Sequence, residues 1–274
     1  MPRQAPQIDV FIPVYNDIDF LPHAVDSVLS QEGVTLGLVI SDNASTDGTS
    51  AWLDRLAERD PRVRVHRNAT NIGALANCRR FFELAEAEFS MFLCSDDRLA
   101  APDALASALA VMHREPDVVG VYCDLRYIDG AGHTLAKRRF DRSGRYDARA
   151  VLRQTLLSGR NLYGIPLLHR TAVMKRYPFP EGSSYSCDVY LSAKTGEEGQ
   201  LYHLPRILIE NRYTGRNVTA DVAWQTRAQF DRLAETCGVR LSRTERLVQR
   251  FRIALTLLQK ALFLRYARWR SSRA

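Results

Sequence analysis

Residues 89–97 read Phe-Ser-Met-Phe-Leu-Cys-Ser-Asp-Asp, a short apolar run that stops at two adjacent carboxylates. A run of that length reads as a buried parallel strand. In open α/β sheets, chemistry collects just past the carboxyl ends of such strands. Asp96 and Asp97 would disfavour folding there unless a cation stood beside them. A divalent metal, Mn2+ or Mg2+, holding a diphosphate is the chemistry such a pair supports. The alternative is structural, with one of the two acids capping the helix that follows.

The elements that must position this pair are legible in the first half. Residues 8–13 and 36–40 read as strands, 62–66 as a short alternating strand, and the run ending at Asp96–Asp97 as a fourth. Between them, helical spacing covers residues 19–31, 49–59 and 74–87, with Thr46 or Asp47 as the N-cap of the second helix. A further helix over 102–114, a strand over 118–128 and a turn at 129–132 follow. Repeated βα units predict a parallel sheet with helices on both faces. The four strand ends then share one edge: Pro13-Val-Tyr-Asn16, Ser41-Asp42-Asn43, Arg67-Asn68 and Ser95-Asp96-Asp97. Asp42 could accept a hydrogen bond from a nucleobase. Asn71-Ile-Gly73 with Asn77 forms a loop into a helix N-terminus, where backbone N–H groups favour anions.

The second half is less regular. Residues 147–158 read as a helix, 161–170 as extended, 183–186 as a loop and 187–194 as a helix start. Strands are expected at 200–203 and 207–213 around Pro205, and helix from 220 onward with a break near Gly238. The basic stretch with Lys137, Arg138, Arg139 and Arg142 is either an acceptor loop or a solvated charged loop. Trp224 either lines an acceptor site or packs a helix.

Composition bounds the rest. The chain has 274 residues, 46% hydrophobic and 25% charged, enough for a sizeable core. The net charge of +7 is carried by the tail: residues 241–274 hold nine Lys or Arg and a single Glu. A nucleic-acid-binding body is therefore not expected. Leu247, Phe251, Leu255, Leu258, Leu262, Tyr266 and Trp269 recur at three- or four-residue steps among those cations. This is an amphipathic basic helix, suited either to an anionic membrane surface or to packing on protein. No apolar run is long enough to span a bilayer, and the first residues carry no signal-peptide core. Five cysteines without a C-x-x-C pair fit a reduced cytoplasmic compartment, with attachment to the inner membrane face as the amphipathic option. No histidine has zinc-ligand spacing.

Pro13-Val-Tyr-Asn16, Ser41-Asp-Asn-Ala-Ser-Thr-Asp-Gly-Thr49, Asn71-Ile-Gly73 and Ser95-Asp-Asp97, in that order and spacing, resemble the family-2 glycosyltransferases of the GT-A fold. The resemblance implies an α/β, Rossmann-like, mostly parallel sheet flanked by helices, with a helical C-terminal extension. It divides the chain into a glycosyltransferase domain over 1–218 and an extension over 219–274. Residues 1–130 would form the nucleotide-sugar part and 131–218 the acceptor side. It implies an inverting transfer from a nucleotide-diphosphate sugar, UDP-linked by preference, to a glycan or lipid-linked acceptor in cell-surface polysaccharide synthesis. Pro13, Tyr15 and Asp42 match positions that hold the base and its sugar; Asn71, Gly73 and Asn77 match the loop beside base and diphosphate. Asp97 matches the direct metal ligand and Asp96 a position near the ribose. Adjacent residues of an extended chain point to opposite sides, which supports that division. Asp188, in Cys187-Asp188, matches the catalytic base; the alternative is a helix cap. Relatives carry a His in the segment matching 211–218, where this chain has Arg212 and Arg216. These could contact the diphosphate or lie in solvent. A homo-oligomer is compatible with the sequence. Two other classes stay open: a sugar-phosphate nucleotidyltransferase, against which Pro13-Val-Tyr-Asn16 stands in place of a glycine-rich phosphate loop, and a non-catalytic nucleotide-sugar-binding scaffold.

Overall fold

The computed structural model describes residues 5–180, 187–213 and 226–271. The expected loop at 183–186, Arg216 and Trp224 lie outside the described residues, as does the side chain of Trp269.

The elements run β1 (Ile8–Val14), α1 (Leu21–Leu29), β2 (Leu36–Asp42), α2 (Thr49–Arg59), β3 (Val63–Arg67), α3 (Ala74–Arg79), α4 (Phe81–Leu84), β4 (Phe89–Phe92), β5 (Arg98–Leu99), α5 (Ala104–Arg114) and β6 (Val118–Ile128). They continue through β7 (Thr134–Arg138), β8 (Gly144–Tyr146), α6 (Ala148–Ser158), β9 (Ile165–Arg170), α7 (Thr171–Met174), α8 (Cys187–Thr195), β10 (Gln200–Arg212), α9 (Thr226–Thr236) and α10 (Arg243–Ser271). All ten strands join one sheet in the order β3-β2-β1-β4-β9-β6-β10-β5, with β7 beside β6 and β8 beside β10. β1 to β4 are mutually parallel. Beyond them β9 runs antiparallel to both β4 and β6, so the sheet is mixed.

Strand alternation divides the core. Ile8, Val10 and Ile12 face one hydrophobic cluster, shared with Leu21, Val25 and Val28 of α1 and Leu105 and Met112 of α5. Phe11 and Val39 face the other, with Leu152 of α6, Leu191 of α8, Phe230 of α9 and Ile253 of α10. The C-terminal helices therefore pack on the body through a few buried side chains.

The structure changes several expected boundaries. The single helix over 74–87 is two short ones that end early: buried Asp9 accepts from the backbone N–H groups of Glu86 (2.7 Å) and Ala87 (2.9 Å), drawing the chain out of helical geometry after Leu84. Strand β4 stops at Phe92 rather than at the acids. Leu93 still donates to Phe11 (3.0 Å), after which a turn closes from Asp97 N–H to the Cys94 carbonyl (3.2 Å). The two strands around Pro205 are one 13-residue strand, β10, irregular between Leu204 and Ile207. A proline that cannot donate is accommodated at such a bulge. At α2 the N-cap is Gly48 with φ +99°, and Asp47 acts from just outside, accepting from Thr49 N–H at 3.0 Å.

Helix α10 docks where α6 ends. Gly159 has φ +68°, and a Cβ there would meet Ile253 Cγ1 at 2.6 Å and Ile253 Cα at 3.1 Å. Gly159→Ala combines a disfavoured backbone with overpacking, and should destabilise by about 2 kcal/mol. Urea unfolding checks the magnitude, and faster proteolysis between α9 and α10 would locate the effect. An unchanged midpoint would show that α10 does not depend on this close approach.

Candidate active site

The carboxyl ends of β1 and β2 are fastened to each other by side chains. Asn16 and Ala44, at φ +49° and +60°, hold conformations uncommon outside glycine. Asn16 N–H donates to Ser45 Oγ (2.9 Å), its side-chain oxygen accepts from Thr46 N–H (2.7 Å), and Ile18 N–H donates to Asp47 Oδ2 (3.0 Å). Ser95 Oγ then donates to Asp17 Oδ2 at 2.6 Å, tying the turn after β4 to the same loop. These loops border a cavity of 1430 Å³. Of the residues expected in a site, Pro13, Tyr15, Asn71, Gly73, Asn77, Asp96, Asp97, Asp188 and Arg212 all line it.

Asp42 does not line the cavity. It is fully buried, and its carboxylate accepts from Ser45 N–H (3.1 Å) and Ser50 Oγ, with the Arg67 Nε 3.8 Å away. Its role here is to fold its own turn. The next residue, Asn43, lines the cavity instead. Asn43 is the hub of an amide network: it donates to Asn71 Oδ1 (2.8 Å) and accepts from Asn68 Nδ2 (3.0 Å) and Ile72 N–H (3.0 Å). Asn77 accepts from Ser41 Oγ (2.7 Å) and Asn68 Nδ2 (2.9 Å) and donates to the Ser41 carbonyl (2.9 Å). Gly73, at φ +87°, leads this loop into α3.

The acid pair sits on a turn, so alternation along an extended chain does not separate the two carboxylates. A ligand atom from each of Cys94, Asp96 and Asp97 lies within 4.8 Å of the others. Asp97 is buried and already engaged, accepting from Asn211 Nδ2 (2.5 Å) and Arg212 N–H (2.9 Å). Arg212 is buried rather than solvated. It donates to the main-chain carbonyls of Asp96 (3.0 Å), Asp129 (3.1 Å) and Gly130 (2.9 Å), and lies over the Phe20 ring at 5.0 Å. Burial, then neighbouring acids, push both carboxyls up: Asp96 to about 6, with Asp17 adding to the push, and Asp97 further, against the opposing pull of Arg212. Two clustered carboxyls, desolvated and pressed on each other, fit a hard divalent cation. The Cys94 thiol is the poorer ligand for such an ion.

Asp188 lies in the first turn of α8. It accepts from its own neighbour, Val189 N–H (2.8 Å), and from Asn161 Nδ2 (2.6 Å). Burial raises its pKa, with these hydrogen bonds and Arg138 pulling the other way. Sequence reasoning did not single out Asp17, Cys94, Asn161 or Asn211. Asp17 directly follows Pro13-Val-Tyr-Asn16 and Asn43 lies within Ser41-Asp42-Asn43, whereas Asn161 meets Asp188 only through tertiary folding.

Comparison with known proteins places this architecture. The model of the family described as glycosyl transferase family 2 matches residues 9–176. The chain is 25% identical to a hyaluronan synthase of Pasteurella multocida over 217 residues, covering 79% of this chain but only 21% of that protein. Its fold is similar to that of S. aureus TarS residues 1–349, solved with UDP-GlcNAc: TM-score 0.69, 17% identity, 88% of this chain and 69% of that one. It is also similar to the mannosyltransferase PcManGT from Pyrobaculum calidifontis, solved with GDP-Man and Mn2+: TM-score 0.64, 19% identity, all of this chain and 77% of that one.

The raised acids give a stability signature. A carboxyl whose folded pKa lies above its unfolded value binds its proton more tightly in the folded state. That contribution is complete below the ordinary carboxylate range and is lost as pH rises through about 6 for Asp96. In chelator, the melting temperature of wild type relative to Asp96→Asn should therefore fall between pH 5 and 7. Added Mn2+ should raise the wild-type value more at pH 7 than at pH 5. A pH-independent difference and no response to Mn2+ would argue against a cation site at the turn.

Proposed function

This chain belongs to glycosyl transferase family 2 and has the GT-A fold, and on that premise we propose that it is an inverting enzyme. It moves a sugar from a nucleotide-diphosphate donor, UDP-linked by preference, to a hydroxyl of a glycan or lipid-linked acceptor in cell-surface polysaccharide synthesis. The observation that carries the reading is convergence: the β1–β2 loops, the acid turn and Asp188 border one cavity. Pro13, Tyr15 and Asn43 receive the nucleoside, and the loop from Asn71 to Gly73, braced by Asn77, closes beside the diphosphate.

The chemistry assigned to the protein is a proton transfer and a charge. Asp188 takes the proton of the acceptor hydroxyl as that oxygen bonds to the anomeric carbon; the bond from that carbon to the diphosphate oxygen breaks, and its electron pair leaves with the nucleotide. Desolvation makes Asp188 a stronger base than an exposed aspartate, and Asn161 fixes its orientation. Arg212 holds a fixed positive charge beside the acid turn. Asp97, with Asp96, would hold the divalent cation, which when bound supplies Lewis-acid stabilisation of the leaving diphosphate.

Helix α10 adds a surface. Leu247, Phe251, Leu258 and Leu262 are 68%, 72%, 59% and 57% exposed on one stripe, among exposed Arg243, Arg246, Arg250, Arg252 and Arg265. Among the described residues no helix is long and apolar enough to cross a membrane. An apolar stripe flanked by arginines fits the surface of an anionic bilayer.

Titrating UDP, GDP and dTDP by calorimetry, with and without Mn2+, tests the donor site. One diphosphate should bind tightly with metal present. Asp97→Ala should lose that metal-dependent gain. Asp188→Asn should keep donor binding and lose transfer by roughly 10²–10⁴-fold, while the wild-type acid limb of kcat lies above the ordinary carboxylate range. Wild-type turnover by Asp188→Asn would remove it as the base. Separately, the protein should sediment with anionic but not neutral liposomes, and Phe251→Glu with Leu258→Glu should abolish this while nucleotide binding persists. Sedimentation unaffected by the double change would exclude the stripe as the membrane contact, and a concentration-dependent dimer in its place would make a second copy the occupant.

A further inference from the structure

At the end of the cavity remote from β2 the wall is cationic. Arg138 closes β7 and Arg139 follows it, Arg142 precedes β8, and Arg160 follows α6; all four line the cavity. Many other arginines of this chain take acids: Arg98 and Arg126 share Glu210, Arg145 takes Glu115, Arg176 takes Glu198, and Arg206 takes Asp103. Among the described residues none of the four cavity arginines is so paired. Three of them are held instead by neutral groups, and Arg139 is exposed. Arg138 donates to the Asn161 carbonyl and lies over the Phe140 ring at 4.7 Å. Arg142 donates to the Leu162 carbonyl (2.6 Å) and lies over the Tyr146 ring at 4.7 Å. Arg160 donates to Thr256 Oγ1 (3.4 Å) and to the Gln259 side chain.

Carbonyls and rings orient a guanidinium without cancelling its charge. Moreover, Nη1 of Arg142 is buried and has no hydrogen-bond partner among the described residues, a costly arrangement unless a ligand completes it. The carboxylates on this wall are Asp141 and Asp188. Asp188 is already taken by Asn161 and its own helix, and Asp141 is exposed. Fixed guanidiniums in a partly desolvated wall are suited to bidentate binding of phosphate or carboxylate.

We propose that the acceptor itself carries an oxyanion, a phosphate or a carboxylate near the hydroxyl that receives the sugar, and that Arg142, flanked by Arg138, Arg139 and Arg160, binds it. This deepens the glycosyltransferase reading and rests on it for the identity of the acceptor. The arginines sit beside Asn161 and so hold the charged end of the acceptor close to Asp188. The charge selects the acceptor by attraction and leaves neutral sugars bound by hydrogen bonds alone.

NMR titration of the full-length protein, saturated with Mn2+ and its preferred nucleoside diphosphate, tests this with paired probes that differ only in charge. Methyl glucuronide is compared with methyl glucoside, and geranyl phosphate with geraniol. The charged member of at least one pair should bind about ten-fold more tightly, the weight of one charge-assisted hydrogen bond. A preference confined to the first pair assigns a glycan carboxylate, and one confined to the second assigns a lipid phosphate. Arg142→Gln should narrow the gap. Because Arg142 is half-buried, the exposed Arg139→Gln and Arg160→Gln keep the test independent of folding. Equal binding of charged and neutral probes by protein that binds nucleotide overturns the inference and leaves the transferase reading standing. A charge preference in protein that binds no nucleotide keeps the anion site and overturns that reading. A preference untouched by all three substitutions removes its assignment to these arginines.

Discussion

Holding two adjacent carboxylates, Asp97 buried and Asp96 half-buried, is the constraint around which this sheet is arranged. Asp96 and Asp97 lie on the turn between β4 and β5, and those two strands sit at different places in the sheet, β4 between β1 and β9 and β5 at the edge beside β10. β4 pairs with β1, whereas β5 pairs antiparallel with β10, Leu99 opposite Ile209 and Arg98 opposite Glu210. β10 then supplies the groups that make the burial tolerable: the Asn211 amide, the Arg212 N–H and the Arg212 guanidinium. An unpaired buried acid would neutralise or move; a strand end that offers two donors and a positive charge keeps it in place. The same strand is anchored below by buried Glu210, shared between Arg98 and Arg126. The acid turn therefore ties the parallel strand β4 to the far edge of the mixed sheet, in addition to the β4–β9 pairing.

The two ends of the cavity solve their polar burial differently. Near β2 the solution is neutral. Asn43, Asn68, Asn71 and Asn77 exchange hydrogen bonds among themselves and with Ser41, and the charged donor to these amides is Arg80 Nε, 3.3 Å from Asn68 Oδ1. Such a network rigidifies loops that follow parallel strands and lets them present N–H groups at a fixed position. Near α8 the solution is ionic and incomplete, with arginines fastened to carbonyls and rings. A rigid neutral end suits a component that is the same in every turnover, and a charged end suits the discrimination of one partner from another.

What the sequence made legible, and what it hid, follows from how local each interaction is. β1, β2 and β6 were readable because a strand buried on both faces is a continuous apolar run. The acids were readable because nothing in a buried strand explains two charges at its end. Asp42 was misplaced because its carboxylate is claimed by Ser45 and Ser50 within its own turn, a choice of side-chain direction that spacing does not encode. The early end of α4 depended on Asp9, far away in sequence but adjacent in the sheet. Asn161 carries no local signal at all; only the return of α8 against the segment after α6 brings it to Asp188. In each case the missing information is a long-range pairing of one polar atom with another.

Helix α10 shows how the second half joins surface to cavity. Ile253 anchors it on α6 beside Gly159. A few residues on, Thr256, Gln259 and Phe263 line the cavity, with Thr256 and Gln259 taking Arg160. The stripe from Leu247 through Leu262 points away from the body. One helix thus forms part of the cavity wall with one face and an apolar outer surface with another. Any ligand or surface that engaged the outer stripe would bear directly on the position of Arg160 and, through the segment it shares with Asn161, on Asp188. The loops after β1, β2 and β4, to which the proposed reaction assigns the donor, border the same cavity from other elements, so a shift of α10 would act first on the wall that carries Arg160.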